Sequence, residues 1–89
     1  MGKNSKSRDD LLWEFIGEVF RSYDFIFEVD DGAGFIQMNY TCNGVTKRRV
    51  VGIVFLTQNS IECTACNDFI HKIELIVRWI CAQLKIPFV

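Results

Sequence analysis

Hydrophobic and polar positions alternate along this chain with two different periods, and the longest stretch of helical period lies near the C-terminal end. From Asn67 to Lys85, the residues Phe69, Ile70, Ile73, Ile76, Val77, Ile80, Cys81 and Leu84 recur at three- and four-residue intervals. At about 100° per residue they gather into one broad stripe. The spacing predicts a long helix capped by Asn67 or Asp68 and ended by Pro87, since proline lacks the amide that a further turn needs. His71, Lys72, Glu74, Arg78, Gln83 and Lys85 take the opposite side, yet Leu75, Trp79 and Ala82 stand among them. Residues three and four apart share a helix face. A second apolar strip opposite the first predicts that something covers both.

A second helical pattern opens the chain. Ser7-Arg8-Asp9-Asp10 has the form of a capping box, in which Ser7 accepts from a first-turn amide and Asp10 reaches back. The two acids also suit the positive end of the helix dipole. Leu11, Leu12, Phe15, Ile16, Val19 and Tyr23 form the expected apolar stripe, with Trp13 and Phe20 at its edge. Asp10, Glu14, Gly17 and Arg21 mark the expected solvent side. Residues 1–6 form a polar stretch expected to be a disordered tail, leaving 7–89 as a single domain.

Between the helices the period falls to two. Phe25, Phe27 and Val29 alternate with Ile26, Glu28 and Asp30, the pattern of a half-buried strand. Asp30 to Gly34 reads as a turn. Alternation resumes from Phe35 to Cys42 and is followed by Asn43-Gly44, a dipeptide that suits a two-residue type I′ hairpin because both positions need positive φ. That loop sets the register, pairing Cys42 with Val45, Tyr40 with Lys47 and Met38 with Arg49. The third strand is apolar on both faces from Val50 to Leu56, which places it inside the sheet. Ile61 to Thr64 can add a short fourth strand beside it.

The predicted fold is therefore α+β: a two-layer α-β-β-β-(β)-α sandwich, with an antiparallel sheet carrying two helices on one face. Simple alternation puts Ile26, Phe35, Val50, Val54 and Leu56 on the other face, too apolar for free solvent. The element order resembles that of a double-stranded-RNA-binding domain. The basic cluster that begins the second helix in that family is replaced here by Asn67-Asp68-Phe69-Ile70, with Lys72 remaining.

Composition sharpens the expectation of a partner. The chain has 89 residues, of which 49 % are hydrophobic, and a domain of this size has little interior in which to hide them. No apolar run approaches the ~18 residues of a membrane span, and residues 1–10 contain no apolar segment of a secretory signal. The expected setting is the cytoplasm, with no membrane partner and with Cys42, Cys63, Cys66 and Cys81 as reduced thiols. The net charge of −1 is unevenly spread: eight acids and one base lie between Asp9 and Asp31, whereas Lys47-Arg48-Arg49 is a basic block.

Few residues suggest catalysis. Cys63-Thr64-Ala65-Cys66 has the spacing of a thiol redox pair or half a zinc site, but the surrounding pattern fits neither a thioredoxin nor a common zinc module. His71 has no nucleophile or orienting acid visible around it. No cofactor and no metal site are expected, and the protein is read as a non-enzyme. The leading expectation is a small protein-interaction module that self-associates as a homodimer and occludes or recruits a protein partner. Its expected interface comprises Leu75, Trp79 and Ala82, rimmed by His71 and Arg78, with Val54 as the sheet-face candidate. The alternative is a basic hairpin binding nucleic acid through Lys47, Arg48, Arg49 and Tyr40. A thiol or zinc site at Cys63 and Cys66 is the third.

Overall fold

The computed structural model describes residues 7–88; the expected N-terminal tail lies outside that range. Two helices and one sheet follow in the order α1 (Arg8–Ser22), β1 (Ile26–Asp30), β2 (Ala33–Cys42), β3 (Val45–Leu56), β4 (Ile61–Ala65) and α2 (Ile70–Leu84). The strands lie side by side in sequence order and pair antiparallel throughout, as an α+β fold requires when neighbouring strands are joined by short turns.

Local chemistry accounts for most boundaries. The Ser7 hydroxyl accepts from the Asp10 amide at 3.2 Å, and the Asp10 carboxylate accepts from the Ser7 amide at 3.4 Å, completing the capping box. Asp31 and Gly32 both have positive φ, as do Asn43 and Gly44, so both hairpins turn through the two-residue geometry that matches strand twist. The helix α2 starts later than expected. Phe69 occupies the cap position without any side-chain hydrogen bond, while residues 67–69 form a turn in which the Phe69 amide donates to the Cys66 carbonyl. At the other end Lys85 adopts the left-handed conformation and its amide donates to the Cys81 carbonyl. The helix thus closes two residues before Pro87, which restricts the backbone ahead of it.

A bulge changes the sheet's parity. Ile36 pairs with Gly52 but Gln37 pairs with Val50, so Val51 is the extra residue on β3. Below the bulge the hairpin keeps the register set by Asn43-Gly44, including Tyr40 opposite Lys47. Above it every β3 side chain changes face. Val54 is consequently fully buried, and Leu56 packs against the core; simple alternation had put both on the outer face. Ile53 and Phe55 take their places there, opposite Phe35 and Ala33. A one-residue slip reverses every side chain beyond it because the strand period is two.

The core joins Ile16 and Phe20 of α1, Phe27, Ile36, Val51, Val54 and Ile61 of the sheet, and Ile73, Ile76, Val77 and Ile80 of α2. The helix α1 lies along β1 and α2 along β4. Phe15 stacks on Trp79, and Phe25 meets Phe69 edge-on, so the two helices run antiparallel. The buried stripe of α1 is rotated from the expected one. Phe20 and Gly17 are buried, whereas Leu11 and Tyr23 are exposed. Two aromatic contacts pull the helix round: the Phe20 ring lies parallel to Phe27 with centroids 5.5 Å apart, and Trp13 meets Phe27 at 6.0 Å. Gly17 leaves room for the Arg21 guanidinium to lie across the helix and donate to the Phe27 carbonyl at 3.1 Å.

The four-stranded body occupies only part of the long strands. The β1 pairing stops at Gln37 and the β4 pairing at Gly52, so residues 38–49 form a two-stranded ribbon with both edges unpaired. Every residue from Asn39 to Val50 is exposed. The ribbon stretches the molecule to 50 × 32 × 21 Å and raises its radius of gyration to 14.1 Å, against about 12 Å for a compact domain of this length.

Candidate functional site

Two surfaces gather the chemistry-bearing residues. The first is the outer side of the helix pair. Leu75 is 68 % exposed and Trp79 49 %, because the helix buries its opposite stripe in the core and has only one sheet to cover. Ala82 and His71 are also exposed on α2. The Trp79 ring stacks on Phe15 of α1, centroids 6.3 Å apart and planes at 24°. Leu11, one turn before Phe15, is 55 % exposed. The apolar strip on α2 therefore continues across the helix pair onto α1, an extension that the hydropathy pattern hid by assigning Leu11 and Phe15 wholly to the core. Arg78 turns away from the strip and lies over the Phe88 ring at 5.2 Å. Phe88 itself forms a parallel bridge with Ile61, so the tail follows the edge of the sheet. Val54, the sheet-face candidate, is sealed in the core and offers nothing to a partner.

The second surface is the projecting hairpin. Alternation from the observed register places Met38, Tyr40, Cys42, Val45, Lys47 and Arg49 on one side, and Asn39, Thr41, Thr46 and Arg48 on the other. Tyr40 and Lys47 face each other across the strands, as do Met38 and Arg49. Arg48 approaches Glu28 at 3.5 Å, and Glu28 also accepts from the nearly buried Gln37 amide at 3.0 Å. Arg49 reaches the Cys66 sulfur at 3.7 Å. The basic block therefore divides: Lys47 and Arg49 share the side carrying Tyr40, and Arg48 is held toward the body on the other.

Of the cysteine pair, Cys63 has poor thiolate chemistry. Cys63 sits opposite Val54 on the core side of β4, and burial, with Glu74 and Cys81 adding negative charge nearby, pushes its thiol up to about 11. Burial likewise raises Cys81. A redox-active CxxC depends on the opposite shift, toward a stabilised thiolate. Among the described residues no three of His, Cys, Asp and Glu stand close enough to hold a metal.

Two further concavities among the described residues are shallow. One of about 250 Å³ lies between α1 and β1, lined by Trp13, Glu14, Glu18, Arg21, Phe27 and Val29. Another of about 190 Å³ lies over Val50 to Ile53 and Thr64 to Cys66. Neither combines a nucleophile with a base. Among the described residues no helix is long and apolar enough to cross a membrane. Compared with models of protein families, with curated proteins and with solved structures, the chain matches none.

Proposed function

We propose that this protein is a small non-enzymatic interaction module that self-associates through its helix pair and acts by occluding or recruiting another protein. The observation that carries the reading is the apolar strip Leu11, Phe15, Trp79, Leu75 and Ala82, which runs across two helices with Leu75 68 % exposed. Scattered surface leucines are ordinary, whereas a contiguous patch containing a tryptophan has the composition of an interface centre. A second copy is the fitting occupant. Antiparallel helices present a long flat face that a two-fold axis can bring against itself, so one surface serves as both halves of the contact. His71 and Gln83 then form the polar rim. The four free thiols suit a reducing compartment such as the cytosol.

Light scattering over a wide concentration range tests the reading. A dimer that Leu75→Glu converts to a monomer of unchanged circular dichroism supports it, because Leu75 contributes little to the protomer's own core. Trp79→Ala should weaken the dimer by about 2 kcal/mol or more, roughly 30-fold in dissociation constant. A monomer at every concentration, or a dimer indifferent to both substitutions, overturns it.

A further inference from the structure

We propose that the projecting β2–β3 hairpin is a binding site for single-stranded nucleic acid, in which Tyr40 stacks on a base while Lys47 and Arg49 neutralise neighbouring phosphates. The hairpin is independent of the helix-pair surface, and its charge sets it apart from the rest of the chain. From Gly32 to Ile61 there is no acidic residue, and the bases present are Lys47, Arg48 and Arg49. The chain outside this segment carries eleven acids and seven bases, so the hairpin is a cationic arm on an anionic body. Phosphate is the complementary chemistry, and it dominates affinity for nucleic acids.

Register gives the arm its second property. Tyr40 lies directly across from Lys47, while Lys47 and Arg49 are two residues apart on the same side of β3. Their separation along the strand is roughly 7 Å, similar to the spacing of successive phosphates in an extended polynucleotide. Tyr40 is 43 % exposed, leaving ring surface for a base. Stacking of this kind tolerates any sequence, because every base has a π-face. A duplex hides those faces within its own stack, which favours the single strand. An acidic protein segment would use the two cations equally well but gives the tyrosine no comparable task.

The acidic turn between β1 and β2 does not oppose this. Asp31, in the turn ahead of β2, lies nine residues before Tyr40, about 30 Å along extended chain, beyond the ~8 Å over which charges act in physiological salt. Glu28 is engaged by Gln37 and Arg48. Cations on an unpaired edge also discourage strand-to-strand aggregation, but that role needs neither the aromatic nor the division of the block between two sides.

Fluorescence anisotropy with a labelled mixed-sequence oligonucleotide, single-stranded and as its duplex, tests the proposal on the full chain. Tighter binding of the single strand is expected, weakening roughly 7-fold between about 50 and 200 mM salt as Lys47 and Arg49 neutralise two phosphates. Tyr40→Ala should cost about 5- to 150-fold and Tyr40→Phe should restore binding. Lys47→Gln and Arg49→Gln should each cost more than Arg48→Gln, which lies on the other side. Equal or tighter binding of the duplex, or indifference to Tyr40→Ala, overturns the stacking site. So does loss of binding to the same degree for all three cations, or no binding at all. A Leu75→Glu monomer that still binds separates this site from the helix-pair surface. Loss of self-association on Lys47→Glu with Arg49→Glu, without oligonucleotide binding by the parent protein, would assign the arm to a protein contact instead.

Discussion

Gly34 is the residue on which the α1–β1 contact turns. A Cβ built there would lie 2.3 Å from the Phe27 ring and 2.7 Å from Trp13, so two aromatic side chains use the space that any other residue would fill. Gly34→Ala should destabilise the protein by about 1–3 kcal/mol, read as a lower urea midpoint with unchanged slope. Its backbone would tolerate alanine, since its φ is not among the positive values; the cost is steric. Cys63 makes the other residue-scale prediction. Its thiol titrates near 11 in the fold against 9.0 for the free group, so the folded state holds the proton more tightly than the unfolded one. The contribution is complete below pH 9 and is lost as pH rises from 9 toward 11, because unfolding then releases a proton. Thermal melts should show a decline over that window that Cys63→Ala flattens. Thiol-reactive dye at pH 8 should label exposed Cys42 well before Cys63.

At the scale of elements, the hairpin arm and the body should behave as separate units of stability. A two-stranded ribbon alone is marginal in water; this one is held by continuity with the sheet and by its Asn43-Gly44 turn. Gly44 has φ +78° and open space around it, so Gly44→Ala meets backbone strain rather than a clash, about 1 kcal/mol. Hydrogen exchange should show faster amides in residues 38–49 of that variant and unchanged protection at Ile36 and Val54. Equal loss in both would mean that arm and body open together. The helix α2 illustrates a different balance. It begins at Ile70 with Phe69 in the cap position and no polar cap, although Asn67 and Asp68 immediately precede; Phe69 at that position meets Phe25 edge-on. An aromatic contact between elements outweighs a cap, whose worth is about 1 kcal/mol.

For the whole molecule, the elongated shape and the divided charge follow from one feature, the ribbon that outruns its neighbours. If the helix pair is a dimer interface, association and folding are linked, and the melting temperature rises with protein concentration. Leu75→Glu should abolish that dependence while leaving the melt of the dilute protein nearly unchanged. Both sites can operate together, since the strip on α1 and α2 and the arm occupy different parts of the surface and use different forces. Burial of apolar area would govern one and is not screened by salt; phosphate neutralisation would govern the other and weakens steeply with salt.

Local chemistry is legible in the chain itself. The start of α1, the Asn43-Gly44 hairpin turn, strand order and the Tyr40–Lys47 register each depend on residues close together, and the capping box and the Asn43-Gly44 turn have few alternatives. The unmatched strip at Leu75 and Trp79 is legible for the same reason: a helix has a fixed period, so a residue's face can be counted from its neighbours. Parity beyond Gln37 could not be counted. The bulge at Val51 depends on which of two apolar neighbours packs beneath α2, and β3 is hydrophobic on both faces there, so Val54 and Ile53 look interchangeable in one dimension. The rotation of α1 was hidden similarly, since Gly17 reads as polar until Arg21 is seen lying over it and Phe27 is seen against Phe20. Such choices are made between residues distant in the chain, by the fit of rings and methyl groups at close packing, and only the folded molecule brings those residues together.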